Sequence, residues 1–332
     1  MSVFCFTTGA LCRSTVLNAE PALGRRLQYR ESYSGNTILY IPEFSKPTGR
    51  YVSRLFLRLF NASLRRGSVV FAGNPCTPGM SVLHSDNDSD IKAVLNQKGI
   101  RTVVCNFWNK PQSKDYIVFP AEPFMLLKIR PEWGKMEDYK QSMHSKYRVR
   151  VNKALNCSQH LHSEWQNGSE LTEEHIGLMS VLLSATLAKK TLALPPDLKG
   201  LIKGFCKEYG NDYQTVFCRN EDGDIMGFLS VVKTDDKVFA MHIGYRAEFA
   251  RDWHLYQRLM LDLIEKCINT GIREIQLGRT ATEIKSTLGA EPMENSIAIF
   301  TKSVILKYAL NIYKRFFFKP KEYTLRRPFR EY

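Results

Sequence analysis

TVFCRNEDGDIMGFLSVVKTDDKVFAMHIGYR, residues 215–246, is the stretch that decides the fold. Asp222-Gly223 separates two apolar runs, and Asp-Gly is the two-residue turn that suits the twist of a hairpin. KTDDK (233–237) is a second polar turn. Three consecutive antiparallel strands are therefore expected. Working outward, helices are expected at about 172–189 and 196–210 before them. After them comes a long amphipathic helix, about 252–270. Trp253, Tyr256, Met260, Leu263, Ile264 and Cys267 mark its buried face, and Gly271 ends it. IREIQLG (272–278) reads as a strand, TATEIKSTLG (280–289) as a short helix and ENSIAIFTKS (294–303) as a final strand. The order is α-α-β-β-β-α-β-α-β.

The first 130 residues also mix strands and helices. TILYIPEF (37–44), SVVFAGNP (68–75), IRTVVCNFW (100–108) and FMLLKI (124–129) read as strands. Arg50, Arg54 and Arg58 recur at helical spacing before a stop at Gly67, and DNDSDIKAVLNQKG (86–99) reads as a second helix. Between the halves, 138–156 reads as a connector helix. Met143, Tyr147, Val151, Ala154 and Leu155 form one face, Arg148 and Arg150 flank it, and Lys146 and Lys153 fall opposite.

A chain of 332 residues with 44% hydrophobic and 24% charged residues is globular and long enough for two domains. Its net charge of +14 favours anionic partners such as nucleotides, phosphorylated carriers, nucleic acid or acidic lipid. None of the eight cysteines forms a C-x-x-C pair, so they read as buried apolar residues in a reducing compartment. No run of about 18 apolar residues is present, and the N-terminus lacks the basic start of a signal peptide. His160 and His162, with no third ligand, are a weak metal signal, so no metal is expected. No G-x-S-x-G elbow supports a hydrolase.

The element order of 172–303 resembles the acyltransferase fold of the GNAT superfamily. SKYRVRVNKAL (145–155) is similar to the connector helix of its Fem-like and BioF2-like N-acyltransferases. LGRTATEIKSTLGA (277–290) is similar to the element after their penultimate strand, where a lysine lies in a short helix. The resemblance implies an α/β (α+β) fold of two GNAT-like halves, each a mixed, mainly antiparallel sheet flanked by helices. The expected segments are a degenerate first half, 1–137, a connector, 138–156, an acyltransferase half, 157–303, and a basic amphipathic tail, 304–332. The implied reaction is amide formation. An acyl group moves from an activated carrier, acyl-CoA as co-substrate, to an amine of a cell-envelope, sugar or lipid precursor. No permanently bound cofactor is implied. An aminoacyl-tRNA donor is the alternative, and a non-catalytic module binding acidic lipid or RNA is the third reading.

Amide formation needs a base, oxyanion donors and positive charge for the carrier's phosphates. Lys285, Glu283 and His242 are the catalytic candidates: a positive charge, an acid and the best base by ordinary pKa. Thr280-Ala-Thr-Glu283 also fits a capping box, which explains Glu283 without catalysis. Arg279, at the carboxyl end of a strand, is a substrate-binding candidate, with Arg148 and the hydroxyl of Tyr256. YRAEFARDW (245–253) occupies the place of the GNAT pyrophosphate loop and supplies Arg246 and Arg251 for the co-substrate. It has no glycine, which makes close backbone approach to a phosphate harder. Residues 301–332 hold nine Lys or Arg against two Glu, half of the net charge. They read as a packed terminal helix, as a peripheral helix on an anionic membrane surface, or as a tRNA contact. DNA is not an expected partner. The expected location is cytoplasmic, with peripheral attachment to the inner face of the membrane.

Overall fold

The computed structural model describes residues 115–187 and 198–330, together with 27–31, 38–42, 69–72, 92, 95–96 and 100–108. The helix expected around Arg50, Arg54 and Arg58 and most of the one at 86–99 lie outside these residues. The chain divides into two units, each with its own sheet.

The first unit comprises 1–123, 190–204 and 293–322. Its strands are β1 (Leu27–Glu31), β2 (Ile38–Pro42), β3 (Val69–Ala72), β4 (Thr102–Trp108) and β5 (Tyr116–Pro120), joined by β13 (Asn295–Thr301). The order is β1-β2-β3-β4-β13-β5, antiparallel except for the β3/β4 pair. Helix α7 (Val304–Phe316) follows β13. Its turn is capped by Ser303, whose side chain accepts from the Leu306 N–H.

The second unit comprises 124–189, 205–292 and 323–332. Its strands are β6 (Phe124–Lys128), β7 (His162–Asn167), β8 (Tyr213–Arg219), β9 (Ile225–Lys233), β10 (Lys237–Tyr245), β11 (Glu274–Gln276) and β12 (Glu291–Met293). The order is β12-β6-β11-β10-β9-β8-β7. The expected three-strand meander is β8-β9-β10, with Gly223 at φ 86° in the Asp-Gly turn. β9 is central and buried from Ile225 to Val232, as its unbroken apolar run requires. Helices α3 (Glu173–Leu187), α4 (Leu198–Tyr209, divided between the units after Gly204) and α5 (Leu255–Thr270) stand where the sequence places them. Gly271, at φ 73°, ends α5 as expected.

The two sheets repeat one plan. Each has three successive antiparallel strands, a parallel pair, β3/β4 or β10/β11, and then a strand from the other part of the chain. β13 follows β4, and β6 follows β11. This exchange corrects two expected boundaries. ENSIAIFTKS belongs to the first sheet, not to the acyltransferase half, and FMLLKI belongs to the second. Hydrophobic alternation fits either sheet equally, so local pattern carries no address.

The 138–156 connector is corrected as well. It is two helices, α1 (Met136–Gln141) and α2 (Ser145–Cys157), both within the second unit. The break at Ser142–His144 lets Met143 bridge to Phe329, and the His144 N–H donates to Pro328 O. Backbone groups that would have continued the helix are spent on the C-terminal segment instead.

Candidate active site

β10 and β11 pair in parallel over only three residues, Lys237–Phe239 with Glu274–Gln276. β10 then runs on to Tyr245 beside β9 alone, with an irregularity between Ala240 and His242. The sheet therefore opens at the carboxyl ends of two parallel strands, where ligands of open α/β sheets gather.

Two turns border this opening. Leu277–Ala281 follows β11 and starts α6 (Thr282–Thr287), and Arg246–His254 follows β10 and starts α5. Ala281 (φ 58°) and His254 (φ 49°) are the positive-φ residues other than glycine among the described residues. Each stands at the N-cap of one of these helices, without a side-chain cap. Left-handed backbone costs a residue with a Cβ about 1–2 kcal/mol. Strain of this kind clusters where surrounding structure fixes a working geometry.

The expected capping box is not formed. The N-cap is Ala281, one residue past Thr280, because Gly278 (φ 73°) and Ala281 turn the chain twice. Glu283 is exposed, and its Oε1 accepts from Arg326 Nε at 3.2 Å and Nη2 at 2.5 Å. Lys285, by contrast, is only 3% exposed, with its Nζ beside the Gly278 backbone. A buried lysine requires compensation, which sets it apart from the solvated residues of α6. Leu288 is buried, while Ile284 is exposed.

A groove of about 360 Å³ runs between α2, the start of α5 and α6. Val151, Ala154, Leu261 and Leu288 are its buried apolar floor. Arg150, Lys153, His254, Gln257 and Glu283 supply its polar lining. Arg150 and Lys153 were visible in sequence as part of the basic half of the connector helix. Only the angle between α2 and α5 makes them groove residues.

The other candidates disperse. His242 is buried at the edge of the Phe205 ring, 5.1 Å between centroids, with Nδ1 3.3 Å from Ser230 Oγ. Burial lowers its pKa to about 4. Tyr256 is half-buried, its ring edge-on to Tyr245 at 6.5 Å, and desolvation pushes its hydroxyl pKa upward. Arg148 is absent from the groove lining; its Nη1 donates to Gln141 Oε1 at 3.2 Å. Arg279 is half-buried over the Phe124 ring at 5.3 Å. Arg251 is exposed, and Arg246 Nε donates to Ile225 O. In the loop joining β10 to α5, the N–H groups of Phe249, Ala250, Trp253 and His254 all bond to carbonyls of the same loop. A backbone cradle for phosphate is correspondingly reduced there.

A parallel pair thus splays open inside this sheet, flanked by helices that start beyond both strand ends. Residues 144–286 match the family model of the GNAT acetyltransferase domain. Over these residues the chain is similar to a GNAT acetyltransferase domain, and its two sheets flanked by helices are a fold that it shares with solved structures. The solved structure of L-PGS from Bacillus licheniformis is similar over 94% of this chain and 98% of that one, with a TM-score of 0.55 and 11% identity. The C-terminal domain of a putative lysylphosphatidylglycerol synthetase from Agrobacterium fabrum is similar over 91% and 90%, with a TM-score of 0.52 and 12% identity. A conserved protein of unknown function from Bacteroides thetaiotaomicron gives 0.52 at 9% identity, over 88% and 90%. At these identities the likeness is one of fold. No curated protein sequence matches. Among the described residues, no helix is long and apolar enough to cross a membrane, and no cluster of His, Cys, Asp or Glu could hold a metal ion.

Proposed function

We propose that this protein transfers an acyl group from a phosphorylated carrier, acyl-CoA in first place, to an amine of a cell-envelope, sugar or lipid precursor. The observation that carries this reading is the groove, in which Arg150 and Lys153 line the same space as the first turn of α5. A 16-residue helix presents partial positive charge at its N-terminus, and two cations beside it suit a pyrophosphate. The apolar floor suits the carrier's aliphatic part.

In this reading the amine nitrogen attacks the acyl carbon at the opening between β10 and β11. The carbon–sulfur bond then breaks, and the thiolate leaves and is protonated. The amine's proton passes to Glu283 or to water. Lys285 and Arg279 act on the developing oxyanion or on a substrate phosphate. Holding both reactants in one opening supplies a large share of the rate.

Titrating the purified chain with acyl-CoA tests the reading. Saturable binding is expected, weakened at least ~10-fold by joint Arg150→Ala and Lys153→Ala replacement, in line with the loss of two charge-assisted contacts. Absence of saturable binding would overturn the acyl-CoA donor.

One observation favours a second donor. The loop joining β10 to α5 lacks glycine and turns several of its N–H groups inward. An aminoacyl-tRNA ester offers the same reacting carbonyl without needing that cradle. Activity abolished by ribonuclease, with binding that falls steeply as salt rises, would select it.

A further inference from the structure

Helix α7 has two unlike sides. On one, Tyr313 lies against Phe119 at 6.2 Å, and the following Phe318 meets the same ring at 5.1 Å. On the other, Val304, Ile305, Tyr308 and Phe316 are 67–84% exposed, and Ile312 is exposed beside them. At 100° per residue these five side chains share one arc of about 120°, the width of an apolar stripe that normally faces a core. Phe317, 69% exposed, extends the apolar surface at the helix end. Scattered exposed apolar residues need no explanation, but a contiguous stripe marks an interaction surface.

The charge around the stripe restricts what covers it. Lys302, Lys307, Lys314, Arg315, Lys319 and Lys321 lie in this segment, and no Asp or Glu occurs between 302 and 321. Lys321 is engaged with Glu122 at 2.6 Å, which ties the segment's end to the first unit. A second copy would set the same cations against each other in a chain of net charge +14. Nucleic acid would meet Val304, Ile305 and Ile312 where stacking surfaces are wanted. An anionic bilayer answers both features. Its acyl boundary takes the aliphatic residues, its headgroup layer suits Tyr308 and Phe316, and its phosphates meet the lysines.

We propose that α7 is an interfacial helix that docks the protein on anionic membrane, lying in the surface without crossing it. This goes beyond the acyl-transfer reading and does not depend on it. Sedimentation of the full chain with phosphatidylcholine vesicles, with and without phosphatidylglycerol, tests it. Binding is expected only with phosphatidylglycerol and should weaken as salt rises. Ile305→Glu with Phe316→Glu should reduce it at least ~10-fold at an unchanged melting temperature, because both side chains are already in solvent. No binding to either vesicle, or binding indifferent to the double variant, overturns the proposal. So does concentration-dependent dimerisation, or RNA retention, that the double variant abolishes while vesicle binding survives. Acyl-CoA titration without vesicles is a separate readout, so failure of docking and failure of acyl transfer can be told apart.

Discussion

Glu283 and Arg326 hold each other across the outer face of α6, 43 positions apart in the chain. The acid that completes a capping box on paper is instead the anchor of the C-terminal segment. Arg326 N–H donates to Ser286 Oγ one turn further on. The pair is solvent-exposed, so its net contribution is small. Thr280→Ala should change stability by less than ~0.5 kcal/mol, where loss of a true N-cap costs about 1 kcal/mol. Arg326→Ala should cost at most ~1 kcal/mol. Urea unfolding of both variants checks this, and a Thr280→Ala cost at the N-cap level would restore the capping box.

Gly289 is the tightest point of the same region. Its φ is 93°, and a Cβ there would overlap the Phe329 ring. Phe329 also packs tilted against Trp133 and edge-on to Tyr139, and the Tyr139 hydroxyl donates to Leu288 O at 2.8 Å. Gly289→Ala therefore meets backbone strain and a clash together, and should destabilise by about 2–4 kcal/mol. Adding Phe329→Ala relieves only the clash. The double variant should cost less than the sum of the singles, as a double-mutant cycle measures.

Lys285 separates stability from turnover. Its stem is buried, so Lys285→Met keeps the packing volume while removing the ammonium. If Lys285 acts on the transition state, kcat/KM should fall at least ~100-fold, the scale of one lost oxyanion contact. The melting temperature of the variant, measured alongside, separates loss of the ammonium from loss of the fold. Full turnover in a folded Lys285→Met protein would remove the residue from the chemistry.

Much of the second unit was legible in sequence because its signals are local. The Asp222-Gly223 turn, the apolar run of β9 and the stripe of α5 with Gly271 each depend on neighbours within a few residues. Two things were not local. The exchange of β6 and β13 depends on which strands each one pairs with far along the chain, and both read as ordinary strands. The groove depends on how α2, α5 and α6 pack, so Arg150 and Lys153 looked like one side of a basic helix, while Arg148 was the more noticeable residue. Lys285 was visible as a lysine in a short helix after a strand. Its burial needed the left-handed turns at Gly278 and Ala281, and the latter cannot be read from an alanine.

His242 gives a pH signature that structure and catalysis do not share. Its pKa is about 4 in the folded chain, against an ordinary value of 6.5. Between these values the unfolded chain holds a proton that the folded chain does not, so protonation favours unfolding. The stability associated with neutral His242 is complete above pH 6.5 and is lost as pH falls toward 4. At 1.36 kcal/mol per unit, the loss by pH 4.5 is on the order of 2 kcal/mol. His242→Gln should remove that slope. Urea unfolding between pH 7.5 and 4.5 should show the wild-type protein losing stability faster than the variant, by about this amount. The shape of the pH–rate profile should be the same in both, since a ring packed against Phe205 and Ser230 is not placed to take the amine's proton. An acidic limb that disappears only in His242→Gln would instead return the histidine to the reaction.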